Sequence, residues 1–176
     1  MTTFAEVEAG IRQLHARYSD ATWRKDAESF AECFTPDGEW RISGMVLKGR
    51  PQIAETIDRI LSRMNRVLIS FRTPLLDLSA DGVSGRTMID ERVSWADGSA
   101  NVSIGRYYER FVEVDGRWYF SWRLFQLHYR GPPDLSGTWF DHPDYGPPPG
   151  MPPLDAGTED MASKRWDLPE GHGKPG

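Results

Sequence analysis

Residues 83–129 read VSGRTMIDERVSWADGSANVSIGRYYERFVEVDGRWYFSWRLFQLHY, three alternating runs joined by two tight turns, Ala96-Asp97-Gly98-Ser99 and Val114-Asp115-Gly116-Arg117. Period-two patterning with an Asp-Gly turn between runs predicts antiparallel hairpins. Each run is about twice the usual ~5–6 residues of a strand. Strands of that length coil under their own twist, and Gly85 and Gly105 fall inside runs, where glycine marks a bulge or sharp bend. A sheet bent in this way has a concave side. Helices that cover that side incompletely leave a pocket, so the stretch points to a small-molecule site.

The segments before it supply the helices. Thr3 and Glu6 have capping-box spacing, and Val7, Ile11, Leu14 and Tyr18 follow at helical intervals. Asp26 is placed to cap a second short helix carrying Phe30, Ala31, Cys33 and Phe34, which Thr35-Pro36-Asp37-Gly38 ends. A short hairpin around Gly44 is expected over Glu39 to Leu47. Pro51 then suits the first turn of a third helix with Ile53, Ile57, Ile60, Leu61 and Met64 on one face. A further strand is expected from Val67 to Leu78, with Pro74 marking an edge, a bulge or a break, and Ser79-Ala80-Asp81-Gly82 turns into the long runs. Helices followed by strands predict an α+β fold, a curved antiparallel or mixed sheet wrapped around N-terminal helices.

A chain of 176 residues fits one domain, and a net charge of −5 gives no basic footprint for nucleic acid. The lone Cys33 excludes an internal disulfide, no Cys/His spacing matches a structural zinc site, and no metal is expected. No signal peptide or apolar span is visible, so a cytoplasmic protein without membrane contact is expected. Composition changes at Gly131: ten of the thirteen prolines and eight of the seventeen glycines lie in the last 46 residues. The chain therefore divides into a body, 1–130, and a tail, 131–176, expected to be partly docked or disordered, with Trp139, Phe140, Tyr145 and Trp166 as anchors.

Tyr18 in the first helix, Phe34-Thr35-Pro36-Asp37-Gly38-Glu39-Trp40, Leu47-Lys48-Gly49, Gly105-Arg106-Tyr107 and Asp115-Gly116-Arg117-Trp118 together resemble the SnoaL-like branch of the nuclear transport factor 2 superfamily over roughly residues 4–130. That resemblance implies a cone with a pocket at one end, frequent dimers, and proton chemistry beside a carbonyl, hydroxyl or epoxide without metal or organic cofactor. The superfamily also includes binders and accessory subunits, so the fold does not fix the function. Two departures weaken a dehydratase reading. Trp23 stands five residues after Tyr18, where such relatives often carry an acid, and Arg66 to Thr73 lacks the histidine that they often place there.

Glu91 is the leading acid, because it alternates with Ile89, Val93 and Trp95 and burial would raise its pKa toward neutrality. A structural ion pair with Arg106 or Arg110 is the competing reading. Asp90 faces the other way beside Arg86 and Arg92, and takes the role of base only if the concave side is that one. Tyr18 on the helical stripe and Arg123, which alternates with Tyr119, Ser121 and Phe125, are candidate polarising groups. His128, at the end of the last long run, suits proton shuttling, whereas His15 is expected to be exposed. Trp23, Phe71, Tyr107, Trp118 and Trp122 are candidate ligand contacts. Aromatic residues occupy both faces of the last three runs, so the outer face needs a cover, either a second subunit in a homodimer or the tail. Three functions fit: a cofactor-independent lyase or isomerase acting on a hydrophobic oxygenated polyketide-, steroid- or aromatic-like molecule, a non-catalytic carrier of such a molecule, and an accessory subunit resembling dioxygenase small subunits.

Overall fold

The computed structural model describes residues 3–80 and 82–157; Asp81 of the predicted turn and Trp166 of the predicted anchors lie outside the described residues. Helix α1 (Phe4–Arg24) begins with the capping box, Thr3 accepting from the Glu6 amide while Glu6 accepts from the Thr3 amide, and Lys25 ends it in the left-handed region. A short α2 (Ala27–Ala31) is capped by Asp26. Strands β1 (Phe34–Ile42) and β2 (Met45–Lys48) form the small hairpin, and α3 (Gly49–Ser62) follows with Pro51 in its first turn. Then come β3 (Met64–Phe71), β4 (Leu75–Ser79) and the long strands β5 (Gly82–Trp95), β6 (Ala100–Val114) and β7 (Arg117–Gly131), with a two-residue β8 (Thr138–Trp139).

The sheet runs β2-β1-β7-β6-β5-β3, with β4 on β5 and β8 on β7. The β6–β7 turn holds Asp115 and Gly116 at φ 50° and 75°, the two positive values that a type I′ hairpin requires. Two expectations need correction. The second helix stops at Ala31, short of Cys33 and Phe34, and Thr35-Pro36-Asp37-Gly38 is a bulged part of β1, which pairs parallel to β7 with a register shift between Phe34 and Glu39 and makes the sheet mixed. The single strand expected from Val67 to Leu78 is two, because Pro74 cannot donate to a ladder; β3 pairs with the second half of β5 and β4 with the first.

Register shifts bend the long hairpins. Between β6 and β7 they fall at Ile104/Gly105 and at Arg110/Phe111. A Cβ on Gly105 would sit 2.3 Å from the Phe125 ring and 2.9 Å from the Gln126 carbonyl oxygen. The ring could shift, but the backbone oxygen could not. Gly105→Ala is accordingly expected to destabilise the protein by about 1–3 kcal/mol, read as a lowered urea midpoint at unchanged m-value.

The inner face of the sheet packs on α1, α2 and α3 in one core that includes Ile11, Leu14, Phe30, Phe34, Ile53 and Phe120. On the outer face, Tyr108, Trp122 and Leu124 are buried beneath Tyr145, Met151 and Ala156 of the tail. Side chains of the sheet donate to tail carbonyls that prolines leave without local partners: Gln126 to Pro143, Arg110 to Pro152, Trp122 to Leu154 and Arg41 to Ala156. Asp144 accepts from Arg86, Tyr108 and the Gly146 amide and lies 3.0 Å from Arg106. Much of the aromatic outer face is thus covered by the chain itself. Asp144→Ala should leave the core intact while hydrogen exchange quickens at the Tyr145 and Gly146 amides; unchanged protection there would mean that the carboxylate does not hold the tail.

Candidate functional site

Between the C-terminal half of α1, α3 and the inner face of β3, β5, β6 and β7 lies a hollow of about 60 Å³. That is room for a handful of waters and less than half of the ~150 Å³ that takes one benzene ring, so a single-ring ligand requires the wall side chains to move apart. Much of its wall is apolar, from Phe30, Ile57, Leu61, Met64, Ile89 and Leu127. A few polar groups converge on it: Glu91, Ser103 and Arg130 from the sheet, and Tyr18 and Tyr107 facing one another.

Glu91, Ser103 and Arg130 stand side by side because the registers pair Glu91 with Ser103 and Ser103 with Arg130. The Glu91 carboxyl is enclosed by protein, and its partial accessibility is to the hollow that it lines. It makes no hydrogen bond or close ion pair with any described residue. Burial pushes its pKa up to about 7, and the more distant Arg130 charge only partly opposes this. Ser103 is held by a relay in which the Trp95 indole donates to Asn101 at 2.6 Å and the Asn101 amide donates to the Ser103 hydroxyl at 3.1 Å. Because Ser103 accepts from Asn101, its own hydrogen is left to point elsewhere, beside Glu91.

The Tyr18 and Tyr107 hydroxyls lie 3.2 Å apart. One donates to the other, so one hydroxyl hydrogen remains for a ligand. Burial, the largest cause, raises both pKa values against the opposing charge of Arg123, so both stay protonated as donors. Arg123 does not reach the hollow. It is fully buried, its guanidinium carbon 3.6, 4.0 and 4.4 Å from the Tyr107, Phe120 and Tyr18 ring centres. Its Nε donates to Glu109 at 3.0 Å, and Nη2 lies 2.8 Å from the same oxygen at an angle too poor for a hydrogen bond. Glu109 also accepts from Thr87 and contacts His15. Burial alone would raise Glu109, but His15, Arg123 and Thr87 outweigh it and hold the carboxyl at about 2.

Other sequence candidates fall elsewhere. Asp90 is on the outer face, paired with Arg72 at 2.8 Å. His128 is also outside, against His142 of the tail, its pKa lowered by burial and by Arg106 and His142. Trp23 is 54% exposed; at 100° per residue it lies about 140° around the helix from Tyr18, and Thr22 takes the place on the wall. Trp118 packs over Gly10, at the other end of α1 from Thr22. Trp122 lies beneath the tail. Phe71 stacks on His15 at 4.5 Å and does not line the hollow. Arg106 and Arg110 are engaged on the outer face with Asp144 and the Trp122 ring, so neither partners Glu91. His15 is 3% exposed rather than solvated. The reading from sequence missed Glu109, although its alternation with Tyr107 and Phe111 is the signal that singles out Glu91, and it missed Ser103 and Asn101, whose small polar side chains carry none. Among the described residues, no group of three or more His, Cys, Asp and Glu is placed to hold a metal ion.

The cone, its helix-backed sheet and the enclosed hollow define a SnoaL-like protein. The chain belongs to the SnoaL-like domain family, whose profile matches residues 3–123. Among solved structures it is similar to the D26N variant of Rv3472 from Mycobacterium tuberculosis, a protein described as of unknown function, at 28% identity over 68% of this chain and 70% of that one, with a TM-score of 0.62. A protein of Novosphingobium aromaticivorans assigned as a scytalone dehydratase shares the fold at 17% identity over 73% of this chain and 89% of that one, with a TM-score of 0.66. So does the hexachlorocyclohexane dehydrochlorinase LinA-type3 of Novosphingobium barchaimii, at 19% identity over 77% and 94%, with a TM-score of 0.64. No match was found among the curated proteins. No helix among the described residues is long and apolar enough to cross a membrane.

Proposed function

We propose that the hollow binds a small hydrophobic, oxygenated molecule of about one ring and that Glu91 moves a proton on it, in a dehydration or isomerisation that needs no cofactor. The observation that carries this reading is the Glu91 carboxyl, unpaired among the described residues, facing an apolar hollow with a pKa of about 7. A base poised near the working pH combines a sizeable ionised fraction with useful basicity. The carboxylate accepts a proton from the carbon beside a carbonyl, and the spare hydroxyl hydrogen of the Tyr18–Tyr107 pair stabilises the enolate oxygen. Elimination and isomerisation share that step. In elimination the proton goes on to the departing hydroxyl as the double bond forms; in isomerisation it returns to a different carbon. The fold shared with a dehydratase-like protein and a dehydrochlorinase supports eliminations as the class to test first.

The experiment is deuterium exchange. Single-ring ketones and β-hydroxyketones are incubated with the full chain in D2O, and label at the carbon beside the carbonyl is followed by NMR. Enzyme-dependent exchange is expected, retained in Asp90→Asn and slowed about tenfold in Tyr107→Phe, less than the ~10²–10³-fold cost of losing an oxyanion donor outright because the Tyr18 hydroxyl hydrogen is then free for the ligand. Saturable binding of such ketones with no exchange above buffer would favour the carrier reading instead.

A further inference from the structure

A second space opens on the other side of Ile69 and Phe71 from the hollow. This groove, about 340 Å³, lies between α1 and the end of β3 and is lined by Arg12, His15, Ser19, Ser70, Arg72 and Thr73 among others. His15 forms its floor although the residue is 3% exposed. Its Nε2 is 3.1 Å from each Glu109 carboxylate oxygen. Glu109 already accepts from the Thr87 hydroxyl at 2.7 Å and from Arg123 Nε at 3.0 Å. An ionised carboxylate only accepts, so the imidazole hydrogen must sit on Nε2 to make the contact. In the neutral ring Nδ1 is then a bare lone pair. It has no hydrogen-bond partner among the described residues, yet it is not among the sealed, unpaired polar atoms. It is therefore accessible from the groove that the ring lines.

We propose that this groove is a second ligand site, for a small carboxylate that also carries a hydroxyl. The hydroxyl donates to His15 Nδ1, an otherwise unpaired buried acceptor whose tautomer and orientation Glu109 fixes and whose face Phe71 covers at 4.5 Å. The carboxylate meets the guanidinium groups at the rim, Arg12 one turn before His15 on α1 and Arg72 directly after Phe71. Each keeps N–H donors beyond its present partner, Glu8 at 3.7 Å for Arg12 and Asp90 at 2.8 Å for Arg72. Ser70 and Thr73 add hydroxyls along the wall. This site shares no polar group with the Glu91 hollow and stands whether or not Glu91 is a base.

The test uses the full chain with 15N-labelled histidine and glycolate as probe, with acetate as the control that lacks the hydroxyl. Long-range 1H–15N spectra should show His15 as the Nε2–H tautomer. Glycolate should then move the Nδ1 resonance saturably, and acetate should not. Arg72→Gln, a change at an exposed side chain, should weaken glycolate about tenfold while leaving the tautomer unchanged. The proposal is overturned if the hydrogen is on Nδ1, if glycolate gives no saturable shift (a groove filled by water only), if acetate shifts Nδ1 equally, or if Arg72→Gln binds glycolate as tightly as the wild type.

Discussion

Glu91→Gln should lower turnover in the hollow by about 10²–10⁴-fold, the contribution of a positioned general base, and at the same time make the protein more stable above neutral pH. The amide keeps the shape of the side chain but neither accepts a proton nor carries charge. The stability change follows from the raised pKa. With an ordinary value of 4.5 lifted to about 7, the folded state holds its proton more tightly than the unfolded chain between those two pH values. The stability that protonated Glu91 permits is complete below 4.5 and is lost as the pH rises to about 7. Above that, a buried unpaired charge costs at most about 3 kcal/mol. The Gln variant should lack this decline, so its advantage grows from acid toward pH 8. Denaturant melts at pH 5 and pH 8 read the difference. A variant destabilised at both values would mean that Glu91 holds the fold rather than a ligand.

Arg123→Leu should have the opposite sign and a larger structural effect, a loss of about 3–5 kcal/mol, because it breaks a fully buried ion pair and leaves the Glu109 carboxylate with only His15 and Thr87 as partners. Arg123 is fully buried, and its guanidinium also fills the space between the Tyr18, Tyr107 and Phe120 rings. Removing it disturbs the hydroxyl pair as well as the ion pair. The double change Arg123→Leu with Glu109→Leu should recover part of the loss, since the buried carboxylate goes with the guanidinium, and only part because His15 and Thr87 then lose their acceptor. The pH dependence is again diagnostic. Glu109 is depressed from 4.5 to about 2, so in the wild type its contribution is present above 4.5 and disappears as the pH falls toward 2. In the Arg123→Leu variant that acid-side loss should shrink, which urea midpoints at pH 3 and pH 7 would show.

The contrast between Glu91 and Arg123 shows where alternation along a strand is a sound guide. In β5 the pairing with β6 runs without a register shift from Val83 to Ser94. The parity that sets Glu91 with Ile89, Val93 and Trp95 therefore survives folding, and the inward carboxyl is legible from sequence. In β7 the shift between Arg110 and Phe111 leaves Ser121 without a partner. Phe120 and Arg123 both turn inward, Trp122 turns out, and a face that reads Tyr119, Ser121, Arg123, Phe125 is not one face. The shift between Ile104 and Gly105 does the same at His128. A bulge costs one residue and leaves no period-two trace, so parity counted from the turn fails beyond it.

On α1 the obstacle was chemical type rather than phase. His15 follows Ile11 by four residues and precedes Tyr18 by three, squarely on the buried stripe. A polar side chain there is read as exposed until a partner is known, and Glu109 is 94 residues away in sequence. Trp23 is the converse case. Its bulk suggests a pocket wall, but helical phase gives the wall to Thr22.

The account stands most directly on the protonation of one carboxyl. Selective 13C labelling of glutamate, with Glu91→Gln to assign the resonance, allows the side-chain carbon to be titrated by NMR in the unliganded protein. The account predicts a midpoint near pH 7 for Glu91. A midpoint near the ordinary 4.5 would show a solvated or paired carboxylate, and the hollow would then have no base.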